Sequence, residues 1–288
     1  MDSTKSLARR AGLLYVLASA PAPFAYLYVP DTLIGKGDAL AIADRVRAAE
    51  GLLRAAIIGE LCGATLLIFA TLALYQLFKR VDQKTSILMA ALMLVSVPIS
   101  YVNALNHIAP LVLLKSPAIA AVLDPRQLAA QVTFFLRLHN YGLVINQIFW
   151  GLWLFPIGAL VMRSGFIPRW LGYPLLFAGA GYVINSLGML LLPPSLRWTT
   201  EYLQILGVGE IPFFSFYLLI WGVRGYAVDR PAALLVLTYF AIGIAAVGLL
   251  LLKRIDTTVY AALALANLVV VFALVMRWRS EPSAEART

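Results

Sequence analysis

Long apolar runs dominate the chain, broken by short polar connections. They cover residues 11–29, 52–78, 86–114, 138–162, 170–192, 202–223, 232–252 and 257–276. At about 1.5 Å per residue each is long enough to cross a hydrocarbon layer of about 30 Å. The pattern predicts an all-α, polytopic membrane helix bundle with eight transmembrane helices. Within the first run Pro21 and Pro23 are expected to kink the helix. The sixth run is the shortest without charge because Glu210 interrupts it; dropping it leaves the alternative of seven spans.

The connections carry helix signals of their own. Asp38 before ALAIADRVRAAE predicts a capped interfacial helix whose Arg45 and Arg47 reach toward headgroups. Ser116-Pro117 and Asp124-Pro125 each place a cap residue before a proline at the first helical position, so two helix starts are expected there. The second start extends the fourth span upward, so one helix runs from near Pro125 through Trp150. The tail 280–288, small and charged, reads as disordered.

Composition agrees with a membrane protein. Of the 288 residues 61% are hydrophobic and 13% charged, and the mean hydropathy is +0.85, outside the range of soluble domains. The net charge of +9 comes from short basic clusters between spans, which is topogenic patterning rather than a nucleic-acid surface. With the N-terminus inside, the inner loops hold the denser basic residues, so both termini are expected to be cytoplasmic. Lys5, Arg9 and Arg10 before AGLLYVLASAPA also imitate a secretory signal, although an uncleaved first span is the expectation. Cys62 stands alone, so an intrachain disulfide is impossible.

Ionisable and amide side chains inside spans are costly and mark candidate positions. Glu60 and Glu210 are expected at similar depth, about 12 Å below the outer end of their spans. His107 and His139 fall in the same outer half. Asn103, Asn106 and His107 share one helix face, and His139, Asn146, Trp150 and Trp153 share another. The segment 137–160 is polar at one end and apolar at the other. Its Arg137, His139, Asn140, Asn146 and Gln147 join Glu60, Asn103, Asn106, His107 and Glu210 as the candidate ligand- or ion-binding set. Trp150 and Trp153 are the expected floor of an outward-facing chamber, with His139 at its mouth.

The same residues have plainer readings. An Asn or His in a membrane helix commonly ties helices together, at about 0.6 kcal/mol per bond. Two histidines and two carboxylates suffice for a metal site, yet no E-x-x-H or H-x-x-E-H motif fixes them together. Two histidines also allow haem ligation. No P-loop, dinucleotide fingerprint or Ser-His-Asp pattern occurs. The sequence assigns no cofactor, metal, catalytic residue or oligomeric state. The expected partners are the lipid bilayer and a small-molecule or ion ligand, with no nucleic acid. Transport of a small molecule, ion or proton, intramembrane metal-dependent catalysis, and a structural or regulatory subunit role are the competing functions. GVGEIP at 207–212 favours the first by freeing backbone groups beside Glu210.

Short matches, R-x-x-G at Arg9 and Arg169 and G-E-aliphatic at Gly59 and Gly209, hint at two four-helix halves. A family resemblance argues against that division. NQIFWGLWLFPIGALVMRSGFIPRWLGYPLLFAGAGYVINSLGMLLLPP, followed by GEIPFFSFYLLIWGV, resembles a bacterial membrane family known as domain of unknown function 4386. The resemblance implies a six-span family core, here residues 1–226, with 227–279 as two additional C-terminal spans. It also implies a prokaryotic inner (plasma) membrane and brings no reaction or site residue.

Overall fold

The computed structural model describes residues 2–35, 37–197 and 210–223. All lie in the first of two compact units, Met1–Gly225; the second is Tyr226–Thr288. The expected spans at 232–252 and 257–276, the tail and the start of the sixth span lie outside the described residues. Among the described residues every regular element is a helix, and five helices are long and apolar enough to cross a membrane.

The first stretch long and apolar enough to cross, Thr4–Ile34, is not one helix. Helix α1 (Asp2–Ser19) stops just before Pro21 and Pro23, a π-helical turn follows at Phe24–Tyr28, and α2 (Val29–Ile34) completes the span. Each proline lacks an amide hydrogen and crowds the preceding turn, so the break falls where the sequence places it. Gly35 ends α2 at φ 21°, and Arg45 donates to the carbonyls of Leu33 and Ile34 at 3.0 and 3.1 Å. Arg45 belongs to α3 (Ala39–Ala48), which Asp38 caps by accepting from the Ala41 amide. Arg45 thus closes the loop instead of reaching outward.

Three long helices follow: α4 (Glu50–Phe78), α5 (Gln83–Lys115) and, after the short α6 (Pro117–Ala120), α7 (Pro125–Ser164). Ser116 and Asp124 cap α6 and α7 as their Ser-Pro and Asp-Pro pairs predict, and Gln127 completes a capping box with Asp124. Helix α7 continues unbroken for 40 residues and ends at Gly165 in the left-handed conformation. Helix α8 (Gly172–Leu191) returns antiparallel to it.

Backbone approach without side chains joins α7 to α8. A Cβ on Gly151 would stand 2.6 Å from the Gly179 carbonyl oxygen, and one on Gly158 would stand 3.0 Å from that of Gly172. Small residues at two matched levels let the helices meet closely, which suits a solvent in which apolar burial drives little association. The last described elements, a π-helical turn Glu210–Ser215 and α9 (Phe216–Ile220), pack on α1. There Arg9 donates to the Ile220 carbonyl at 3.1 Å.

At one end of the bundle α3, α4, α5 and α7 enclose an apolar layer that includes Val46, Leu53, Leu111, Val132 and Leu136. At the other end Leu74, Phe78, Met89, Ile157, Leu160 and Leu175 are fully buried. The polar residues lie between these layers.

Candidate functional site

One carboxylate from α4 meets one histidine each from α5 and α7. His107 Nδ1 lies 3.1 Å from Glu60 Oε1, and His139 Nε2 lies 3.1 Å from Glu60 Oε2. The imidazoles stack on each other, with centroids 3.4 Å apart and planes 16° from parallel. All three residues are buried, His139 completely. The apolar layer of Leu53, Val132 and Leu136 lies above them on the same helices.

The two contacts differ in alignment. The His139–Glu60 contact is aligned as a hydrogen bond. The His107–Glu60 contact is equally short but less well aligned, with Nδ1 and Oε1 3.1 Å apart. Buried polar atoms left in a poorly aligned bond are costly. Their spacing also suits a shared metal ion. Ligand atoms bound at about 2.0–2.1 Å in a tetrahedral site lie roughly 3.3 Å apart. One ligand atom from each of Glu60, His107 and His139 falls within 4.8 Å of the other two.

Below this cluster the amides form a column between α5, α7 and α8. Asn103 donates to the His139 carbonyl at 3.0 Å, and Asn106 donates to Asn103 Oδ1 at 3.1 Å. Asn146 donates to Ser100 Oγ, and Asn185 to Gln147 Oε1, each at 2.7 Å. Asn103 also fills the space beside Gly142, where a Cβ would collide with its amide. The column then ends. Deeper between α4 and α5 the buried Thr71, Ser86 and Ser96 return their hydroxyls to carbonyls of their own helices or caps.

Beside the column lies a cavity of about 490 Å³ within Met1–Gly225, inside the usual size range of small-molecule pockets. Glu60 and Glu210 both line it, with Tyr26, Trp150, Trp153 and Tyr182. Trp150 stacks on Tyr26 at 6.1 Å and meets Tyr182 edge-on at 6.5 Å, while Trp153 meets Tyr15 edge-on at 5.4 Å. The tryptophans therefore both border the cavity and pack the helices. Trp153 Nε1 has no hydrogen-bond partner.

The structure brings Glu60, His107 and His139 into one cluster and places Asn103, Asn106, Asn146 and Gln147 below it, with Asn140 on the cavity wall. Two expected positions change. Arg137 is exposed and outside the cluster, because its place on α7 faces away from α4 and α5. His139 is not at a mouth: the apolar layer closes that end, because the cap at Asp124 carries α7 onward past the histidine in three turns of buried leucine, alanine and valine. Asn185, Tyr26 and Tyr182 were not among the sequence candidates. Asn185 carried the one available signal, a lone amide within the apolar run of α8.

Comparison with known proteins gives a family and no activity. An uncharacterized protein of Archaeoglobus fulgidus is 37% identical over 82 residues, which cover 27% of this chain and 44% of that relative. The match thus spans less than half the relative's length. No solved structure matches. The family profile described as "Domain of unknown function (DUF4386)" matches residues 10–222. That stretch contains Glu60, both histidines, the amide column and Glu210, so the site lies wholly within the part that places the chain in the DUF4386 family.

Proposed function

We propose that this is a multi-pass protein of the prokaryotic inner (plasma) membrane that holds a transition-metal ion on Glu60, His107 and His139. The observation that carries the reading is the convergence of one ligand atom each from the buried Glu60, His107 and His139 within 4.8 Å of one another. Two imidazoles and one carboxylate are the ligand set of catalytic zinc sites, which keep a fourth position open. Here Glu60 is the ligand that borders the cavity, so the open position is assigned to that side. Such an ion would act as a Lewis acid on a molecule lying in the cavity.

Transport across the membrane has less support. The amide column stops at Gln147 and Asn185, and among the described residues the buried hydroxyls beyond it, Thr71, Ser86 and Ser96, are spent on backbone carbonyls. A second reading rests on the aligned His139–Glu60 bond: the cluster holds a proton in place of a metal.

The test is metal analysis of detergent-purified protein, followed by Co²⁺ reconstitution of stripped protein. One equivalent of bound metal, and a visible Co²⁺ spectrum of a four-coordinate centre that His107→Ala abolishes, is the expected result. No stoichiometric metal and no such spectrum would refute the metal reading and leave the proton reading in place.

A further inference from the structure

The cavity has its opening on an unexpected side. Its wall includes Pro23 and Leu27, both exposed, with Leu27 69% exposed. Both belong to the broken first crossing, Thr4–Ile34. Asp31 is the first charged residue toward that end of the span, and Leu27 and Pro23 lie about 6 and 12 Å below it at helical rise. The opening therefore sits at hydrocarbon depth on the flank of the bundle. The end nearer the histidines is closed by Leu53, Val132 and Leu136.

The break in the first crossing makes this opening. Below it α1 lies tight on α4, where a Cβ on Gly63 would stand 2.8 Å from the Ala18 carbonyl oxygen. Above it the chain turns at Pro21 and Pro23 into the π-helical segment, and Tyr26 forms part of the cavity wall. A molecule reaching a mouth at this depth must come from the bilayer. The walls it meets near Pro23 and Leu27 are mainly aromatic and aliphatic, with Asn140, Gln147 and Glu210 among the polar lining and the carboxylate of Glu60 beside the histidine cluster.

From this arrangement we propose that the cavity receives the hydrocarbon chain of a membrane amphiphile, which enters sideways between Pro23 and Leu27 and brings an oxygen-bearing head to the Glu60 side. The head-group part rests on the metal reading above; the chain-binding part does not.

The probe is a long-chain fatty acid carrying a diazirine on its chain, incorporated in phosphatidylcholine–phosphatidylglycerol vesicles with the full-length protein. After illumination, label on Tyr26, Trp150 or Tyr182 is expected. Ala22→Trp, which fills the cavity from its wall, should lower that label about tenfold. Leu27→Trp narrows the mouth at a side chain already exposed, so it keeps the packing intact and should lower the label in the same direction. Label confined to lipid-facing positions such as Phe69 and Phe134, or cavity label unchanged in both variants, would overturn the proposal. Metal content of the same samples separates the two readings. Metal without cavity label means that chain entry fails and the metal site stands; cavity label without metal means the reverse.

Discussion

The rings of His107 and His139 lie face to face at 3.4 Å, and each offers a nitrogen to a different oxygen of one carboxylate. Two imidazolium charges at that separation would repel by about 5 kcal/mol at an effective dielectric constant of about 20. A single Glu60 carboxylate offsets one of them. Neutral imidazoles meet no such penalty.

Metal affinity should therefore fall on acidification, because ligands must release protons to bind. Zn²⁺ titration of the stripped protein is expected to give weaker binding at each step down in pH from neutral. Glu60→Gln should remove most of the binding, whereas Glu210→Gln, which alters the cavity wall outside the cluster, should leave it intact. Calorimetry on the two variants reads the difference.

The glycine contacts of α7 and α8 give a packing prediction with its own control. Gly151→Ala places a methyl 2.6 Å from a backbone carbonyl oxygen that cannot move alone, so a loss of about 1–3 kcal/mol is expected. Gly51→Ala meets nothing within 4 Å and should be neutral or stabilising, since alanine is favoured over glycine in a helix by up to about 1 kcal/mol. Thermal melts in detergent should place the two variants on opposite sides of, or one below and one level with, the parent protein.

Asn185 and Gln147 should couple. Their bond at 2.7 Å is buried between α8 and α7, and interhelical hydrogen bonds of this kind average about 0.6 kcal/mol, with a maximum near 1.7. A double-mutant cycle with Asn185→Leu and Gln147→Leu is expected to return a coupling in that range. A value indistinguishable from zero would remove the amide column as a stabilising feature.

Asp82 gives the pH dependence of the polar end outside the spans. It caps α5 by accepting from the Thr85 amide and hydroxyl, and it accepts from Arg163 at 3.2 Å. These bonds, the Thr85 amide first and the Arg163 charge after the hydroxyl, hold its carboxyl below the ordinary value of 3.8. A carboxyl depressed in the folded state adds stability above its unfolded pKa and loses it as pH falls through the folded one. Asp82→Asn should flatten the acid limb of the melting profile below about pH 4 and lower stability in the neutral region through loss of the Arg163 ion pair, since asparagine still caps.

Much of the fold was legible because its signals are local. The caps at Asp38, Ser116 and Asp124 and the break at Pro21 and Pro23 depend on a few neighbouring residues. The site was legible only as a depth. Glu60, His107 and His139 could be placed in one half of the bilayer by counting along their helices, but no short motif joins three helices, so their convergence on one carboxylate was not readable. The roof above His139 was hidden for a different reason. The extension of α7 beyond the membrane span was expected from Asp124, yet which face of it would pack on α3 and α5 depends on partners far away in sequence. Asn185 escaped notice because a single amide in an apolar run gives no hint that Gln147 stands opposite.

The two apolar layers that enclose the histidine cluster bear on how an ion would get there. Crossing either one as a bare charge is prohibitive, since even a helix-borne charge costs several kcal/mol at mid-membrane. An ion held by Glu60, His107 and His139 would therefore enter and leave through neither layer, but from the cavity that Glu60 borders. Its exchange would then depend on what fills that cavity, so a molecule lodged there would slow both the loading and the loss of the ion.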